Sequence, residues 1–209
     1  MVAGTIEQYL SDDEYRSYYP ELNGLRHRIA SCLSIFPNME ILDLATGFGY
    51  FAIEVARREI DLSIIGIDIS ENDVVKAKEK VEEFGLSELI TIIRGDSTAM
   101  GFSDGKFDLV VNFTGLEDIH MTRGRIGVEK TLMEVNRILK PDHRFCFVVM
   151  PPDQMETEAQ KIEVALYSYI CNATWLSTRE YDNLLSRAGF ELMTPRDYYT
   201  RKKLTPKHA

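Results

Sequence analysis

Apolar residues fall into two kinds of segment that alternate along the chain. From Glu21 to Phe36 they recur at three- and four-residue steps, which predicts an amphipathic helix that stops at Pro37. Elsewhere they form short continuous runs, which are typical of strands buried on both faces. These runs cover residues 39–44, 63–68, 89–93, 107–112 and 145–150.

Helical spacing returns between the runs. Ser70 predicts the start of a helix that closes at Gly85, and a capping box of Ser177 and Glu180 opens a helix that ends at Gly189. Further helices are predicted at 51–56, 128–138 and 158–170. Because apolar strands alternate with helices, we expect an α/β fold with a doubly wound, mostly parallel sheet and helices on both faces.

Polar residues follow the first four runs, at the edge where open parallel sheets bind their ligands. Glycines allow close approach of the backbone, a helix N-terminus attracts an anion, and an acidic residue after the second strand suits the two hydroxyls of a ribose. The pattern therefore favours a ligand that contains a ribonucleoside. The residues are Asp43, Gly47 and Gly49 after the first run, Asp68 after the second, Asp96 and Ser97 after the third, and Asn112 in the fourth.

A dinucleotide is the first alternative for this ligand. Gly47, Gly49 and Ala52 satisfy the pattern G-x-G-x-x-[GA], and Asp68 follows at the distance expected for NAD binding. Asp43, however, stands at the mouth of the loop, where it would repel a pyrophosphate. A cationic ligand suits this acidic edge better.

Charge and composition exclude several other classes of function. The 209 residues carry 24 Lys or Arg and 33 Asp or Glu, and the resulting net charge of −9 disfavours binding to nucleic acid. The three cysteines show no CxxC spacing, so we expect neither a disulfide framework nor a metal site. Free cysteines of this kind favour a cytoplasmic location. No apolar run is long enough for a membrane span or a secretion signal.

Several motifs in order resemble the class I S-adenosylmethionine-dependent methyltransferases, from about Asp43 to Phe190. The glycine segment 41–49 resembles the first motif of that family, with Ala45 where a glycine is usual. Segment 107–112 resembles the fourth-strand motif, and 132–141 resembles the helix before the fifth strand. Asp142 and His143 stand where the family usually has two glycines.

The resemblance implies S-adenosylmethionine as the cofactor and a Rossmann-like methyltransferase fold. Asp68 would hold the ribose hydroxyls, Asp96 would accept the adenine amino group, and Ile69 would pack on the adenine ring. At the methionine end, the candidates are Asp43, Ala45, Gly47 and Gly49. Ser97 is a candidate beside the adenine, and Asn112 is a candidate on the fourth strand. Tyr19, with Tyr15 or Tyr18, is the candidate cap.

The resemblance also implies a small-molecule acceptor, because segment 115–119 is nearest to the branch of quinone-biosynthesis methyltransferases. We expect one domain: a helical cap (1–37), a cofactor-binding core (38–150), a candidate lid (151–176), and a final helix, strand and basic tail (177–209).

His120 is a candidate general base, although an exposed histidine without a catalytic role is the simpler interpretation. In the lid, Tyr167, Tyr169 and Trp175 either line an acceptor pocket or pack on the sheet.

Two questions remain open at the level of sequence: the class of function, and the last strand of the sheet. An NAD-dependent oxidoreductase and a non-catalytic cofactor-binding subunit are the alternative functions. The family's sheet ends in a hairpin of two antiparallel strands, and only 191–200 is a candidate strand here. We expect that the last strand lies beyond Ala209. The alternative is that a partner chain, as in a homodimer, completes the edge.

Overall fold

Five parallel strands form one sheet in the computed structural model, which describes residues 20–58, 61–171 and 174–198. The strand order is β3-β2-β1-β4-β5, and each neighbouring pair is parallel. This confirms the predicted doubly wound α/β fold. The strands are β1 (Met39–Leu44), β2 (Leu62–Asp68), β3 (Ile90–Arg94), β4 (Phe107–Phe113) and β5 (Leu139–Val148).

Six α-helices surround this sheet in the described part of the chain. Their bounds are α1 (Pro20–Cys32), α2 (Tyr50–Ala56), α3 (Glu71–Glu83), α4 (Gly115–Ile138), α5 (Glu158–Cys171) and α6 (Thr178–Arg187). The predicted caps are present: Ser70 accepts from the backbone of Asp73, and Ser177 and Glu180 form a reciprocal capping box. Helix α4 is interrupted at Gly124, whose φ of 66° and ψ of −174° are not helical.

The core lies on both faces of the sheet, because neighbouring residues of a strand point to opposite sides. Leu109 and Val111 pack with α1, α2 and α3, whereas Val110 packs with the C-terminal half of α4. A third cluster joins α4 to α6 through Leu132 and Leu184. Burial on both faces explains why the strand sequences are continuously apolar.

Three predicted element boundaries differ from the structure by more than two residues. Helix α4 begins at Gly115, whereas helical spacing predicted only its C-terminal part, residues 128–138. The first helix ends at Cys32 instead of reaching Phe36, which is exposed beside Pro37. The fifth strand begins earlier than predicted, at Leu139, and its pairing with β4 is irregular near Asp142, which has a φ of 62°. This irregularity explains why the sequence showed only the later apolar half of the strand.

The predicted final strand is not formed at residues 191–198, and residues 199–200 lie outside the described residues. Pro195 has no backbone N–H to donate to a strand ladder. Leu192 and Met193 are exposed, so this segment buries no apolar face that would fix a strand register.

Candidate active site

The loop after β1 is held in an unusual backbone conformation. Ala45, Gly47 and Gly49 have positive φ values of 50°, 52° and 77°, which glycine adopts without strain and alanine does not. A Cβ placed on Gly47 would meet nothing within 4 Å, so that side of the loop is open. The loop thus exposes backbone to the crevice at the carboxyl edge of the sheet.

Asp43 lies underneath this loop. Only 1% of the residue is exposed, and its Oδ2 accepts hydrogen bonds from Thr46 Oγ1 at 2.5 Å and from the backbone N–H of Ala52 at 3.2 Å. Burial raises its pKa to about 7, and the nearby charge of Asp68 acts in the same direction. Asp43 therefore holds the loop from below, instead of facing the crevice as the sequence suggested.

Asp68 ends β2 and reaches the same loop. Its Oδ2 accepts from the backbone N–H of Gly47 at 2.9 Å, and its Oδ1 accepts from that of Ser70 at 3.0 Å. The next residue, Ile69, is 45% exposed, which is unusual for a large apolar side chain. A fixed carboxylate thus lies beside an exposed apolar surface.

Asp96 and Ser97 follow β3 at this edge. Asp96 Oδ1 accepts from the backbone N–H and the hydroxyl of Thr98, and its Oδ2 accepts from Arg123 at 2.7 Å. Partial burial opposes ionisation, but these hydrogen bonds hold the pKa of Asp96 below its usual range. Ser97 is turned toward α4, where its hydroxyl lies 3.1 Å from that of Thr131.

Asn112 lies inside the protein at the end of β4. Its Nδ2 donates to the carbonyl of Leu44 at 2.6 Å, and its Oδ1 accepts from the backbone N–H of Leu116 at 3.2 Å. The residue has no exposed surface. It therefore joins β1 to the start of α4, and the structure does not place it in the crevice. Tyr19, Tyr18 and Tyr15 lie outside the described residues.

Arg26 is a residue near the site that the sequence reasoning missed. It is buried on α1, and its guanidinium lies 4.9 Å from the ring centre of Phe113 and 5.3 Å from that of Tyr50. Its positive charge lowers the pKa of Asp43. The available signal was its position in the apolar stripe of α1, three residues before Ile29.

His120 connects α4 to the end of the candidate lid. Its Nδ1 lies 2.7 Å from the carbonyl of Thr174, and because a carbonyl only accepts, Nδ1 carries the proton. The residue is buried, so it is not the exposed histidine of the simpler reading. Within the candidate lid, Trp175 donates to Ser168 Oγ, whereas Tyr169 is 87% exposed and neither lines a pocket nor packs on the sheet.

Glu117 is a second residue that the sequence reasoning missed. It lies in the first turn of α4, is only 6% exposed, and accepts from the backbone N–H of Met150 at 2.7 Å through Oε1. Its Oε2 is buried and has no hydrogen-bond partner among the described residues. Burial raises its pKa to about 7. An acidic residue in a first helical turn is common, so the sequence gave no signal for this burial.

The sequence of the chain is similar to those of known proteins. A family model described as "Methyltransferase domain" matches residues 35–189. The chain belongs to this methyltransferase family. A demethylmenaquinone methyltransferase from Bacteroides fragilis is 30% identical to it, over 79% of this chain and 73% of the relative.

One further relative and one solved structure are also similar to the chain. A 27-O-demethylrifamycin SV methyltransferase from Amycolatopsis mediterranei is 26% identical, over 93% of this chain and 70% of the relative. A solved SAM-dependent methyltransferase from Aquifex aeolicus shares the fold with a TM-score of 0.63, 19% identity and 81% coverage of each chain. The predicted family, cofactor and reaction class, methyl transfer from S-adenosylmethionine to a small molecule, are confirmed, and the NAD alternative is not favoured.

The residues present fit this cofactor. Gly47 leaves the loop open, Asp68 offers a carboxylate, and Ile69 offers an exposed apolar surface. In the described part of the chain, no helix is long and apolar enough to cross a membrane, and no group of His, Cys, Asp or Glu residues is arranged to hold a metal ion.

Proposed function

We propose that this methyltransferase binds S-adenosylmethionine along the carboxyl edge of β1, β2 and β3, and methylates a small, partly apolar acceptor beside the first turns of α4. The observation that carries the proposal is the position of Asp68. Its carboxylate is fixed at the end of β2 by two backbone N–H groups, next to the exposed Ile69. A ribose and its attached base need this combination of groups.

Each residue of the edge has a separate task in this proposal. Asp68 accepts from the ribose hydroxyls, and Ile69 packs on the adenine. Asp96 takes the adenine amino group in exchange for Arg123, whose side chain is half exposed. Arg26 and the amides of the loop balance the carboxylate of the methionine part. When bound, the cofactor supplies an electrophilic methyl group on a sulfonium centre.

The chain itself contributes mainly positioning. Methyl transfer needs the acceptor atom in line with the reacting bond, and binding both molecules in one crevice converts a bimolecular encounter into a local one. The hydrogen bond from His120 to Thr174 fixes the end of the 151–176 segment beside α4. We propose that this segment covers the acceptor and excludes water.

The relatives support an acceptor with a ring system. Two of them are described by their action on a demethylmenaquinone and a demethylrifamycin. We therefore propose a quinone-type or related aromatic acceptor.

The three cysteines without disulfide spacing favour a cytoplasmic location. The homodimer stays a prediction.

Ligand-dependent stabilisation and a transfer assay test this function together. S-adenosylhomocysteine should raise the melting temperature of the protein, whereas NADH should not. With tritiated S-adenosylmethionine, the protein should label aromatic or quinol acceptors and yield products heavier by one CH2. Stabilisation by NADH alone would contradict the proposal. A stable partner protein without any methyl transfer would favour the non-catalytic subunit.

A further inference from the structure

The carboxyl of Glu117 is buried at a cost that its protein contacts do not explain. Oε1 is satisfied by Met150, but Oε2 has no hydrogen-bond partner among the described residues. A buried oxygen without a donor costs free energy, and such groups are rare in folded proteins. An acceptor that brings a donor to Oε2 would remove that cost.

Glu117 lies at the carboxyl edge of the sheet beyond β4 and β5, where we place the acceptor in the proposed function. It follows β4, and the residue bound to its Oε1, Met150, follows β5, so it lies between the carboxyl ends of these two strands. Two residues before it, Gly115 packs so tightly on Ala45 of the glycine loop that a Cβ there would lie 2.6 Å from the Ala45 Cβ. The first turn of α4 thus touches the cofactor loop and carries Glu117 beside it.

The surroundings select the kind of donor. Leu116, Ile119 and Phe147 belong to one apolar cluster with Tyr181. The charge of Glu117 acts on the Tyr181 hydroxyl, so the carboxyl lies near this cluster. An ammonium group has three donors and would leave two of them unsatisfied there, whereas a hydroxyl has one donor for the one open oxygen. A phenolic or enolic hydroxyl on an otherwise apolar ring fits both conditions.

We propose that Glu117 is the acceptor-site base: its Oε2 receives the hydrogen bond of an acceptor hydroxyl and takes the proton during methyl transfer. This inference rests on the proposed function. The O–H bond breaks and its electron pair stays on the acceptor oxygen. That oxygen forms the new O–CH3 bond as the S–CH3 bond breaks and sulfur keeps its pair. The proton passes from Glu117 to solvent on product release.

The groups around Glu117 agree with such a role. Burial raises the pKa of the Tyr181 hydroxyl on α6, and the negative charges of Glu117, Asp118 and Glu180 raise it further. His120 follows one turn later on the same helix, and from the end of β5 the neighbouring group is the backbone N–H of Met150. Because burial raises the pKa of Glu117 to about 7, the carboxyl is able to gain and lose a proton near neutrality.

The test compares Glu117→Gln and Glu117→Asp with Asp118→Asn, an exposed acid of the same turn. Methyl transfer is measured against pH with a panel of hydroquinones, naphthols and their methyl ethers. S-adenosylhomocysteine affinity is measured by calorimetry for every variant. The carboxyl of Glu117 is followed by 13C NMR in protein labelled at glutamate Cδ, with and without 1-naphthol plus S-adenosylhomocysteine.

We expect Glu117→Gln to bind S-adenosylhomocysteine like the wild type but to lose about 100-fold or more in kcat at neutral pH. Its residual activity should rise only at alkaline pH, where the acceptor hydroxyl ionises by itself. Glu117→Asp should retain the neutral pH limb at lower kcat, and Asp118→Asn should match the wild type. One 13C signal should titrate near pH 7, be absent from Glu117→Gln, and shift when 1-naphthol binds.

Three results would overturn the proposal while leaving the cofactor site intact. These are a wild-type kcat and pH profile in Glu117→Gln, transfer only to compounds without a hydroxyl, or no transfer to the panel by a protein that binds S-adenosylhomocysteine. Failure of the wild type to bind S-adenosylhomocysteine would instead reject the proposed function itself.

Discussion

The amide of Asn112 donates a 2.6 Å hydrogen bond to the carbonyl of Leu44 and thereby ties β4 to the end of β1. Its oxygen accepts from Leu116 at the start of α4. One buried side chain thus sets the spacing between the glycine loop, where we place the cofactor, and the helix that carries Glu117. The two halves of the site meet where the strand order reverses direction.

Asn112→Ala should destabilise the protein by about 2 to 3 kcal/mol, because it leaves two buried backbone groups without partners. Urea denaturation at neutral pH measures this loss. The matched control is Asn72→Ala, since Asn72 is exposed on α3 and should change the free energy of unfolding by less than about 0.5 kcal/mol. Equal losses in the two variants would show that Asn112 is not a structural tie.

Gly115→Ala should destabilise the protein by about 1 to 3 kcal/mol and weaken S-adenosylhomocysteine binding. The added Cβ would lie 2.6 Å from Ala45 Cβ and 2.6 Å from Asn112 Nδ2, so the glycine loop would have to move. Gly24→Ala is the control, because a Cβ on that α1 residue meets nothing within 4 Å. It should stabilise the helix by about 0.5 to 1 kcal/mol. Unchanged stability and affinity in Gly115→Ala would argue against this contact.

Stability should fall as pH rises from about 5 to about 7. The pKa values of Asp43 and Glu117 in the folded state are raised to about 7, above those of the unfolded chain, so the folded state binds more protons in this window. Carboxyls with lowered pKa values, such as Asp96, act in the opposite direction but at more acidic pH.

Denaturation of Glu117→Gln across this pH range isolates one of the two groups. The variant should lose less stability than the wild type between pH 5 and pH 8, because the buried carboxyl no longer has to ionise. Asp118→Asn should follow the wild-type curve. Parallel curves for Glu117→Gln and the wild type would mean that Glu117 has an ordinary pKa.

The fold was predictable because its determinants are local in the sequence. Apolar runs such as 107–112 and caps such as Ser177 with Glu180 placed four of the five strands and most of the helices. The candidate strand at 191–200 failed because a strand needs a partner, and no local pattern shows whether one is available. Helix α1 was predicted four residues too long for a similar reason, since spacing alone does not show where packing stops.

The site was predictable where chemistry and sequence position coincide. Asp68 and the glycine loop lie at a strand end, and the structure brings them within hydrogen-bond distance. Asp43 and Asn112 were placed at the correct edge, but the sequence did not show that their side chains turn inward. Burial of Glu117 depends on Met150 and Tyr181, which come from distant parts of the chain, so no local pattern marked it. Burial of Arg26 was signalled only by its position in the apolar stripe of α1.

Calorimetric titration of S-adenosylhomocysteine into the wild type and Asp68→Ala tests the central claim most directly. The wild type should bind one molecule, and Asp68→Ala should lose about 2 to 3 kcal/mol of binding free energy with the removed carboxylate contacts. Asp61→Ala, an exposed acid at the opposite end of β2, should bind like the wild type. Equal affinity in Asp68→Ala and the wild type would contradict the placement of the cofactor along this edge of the sheet.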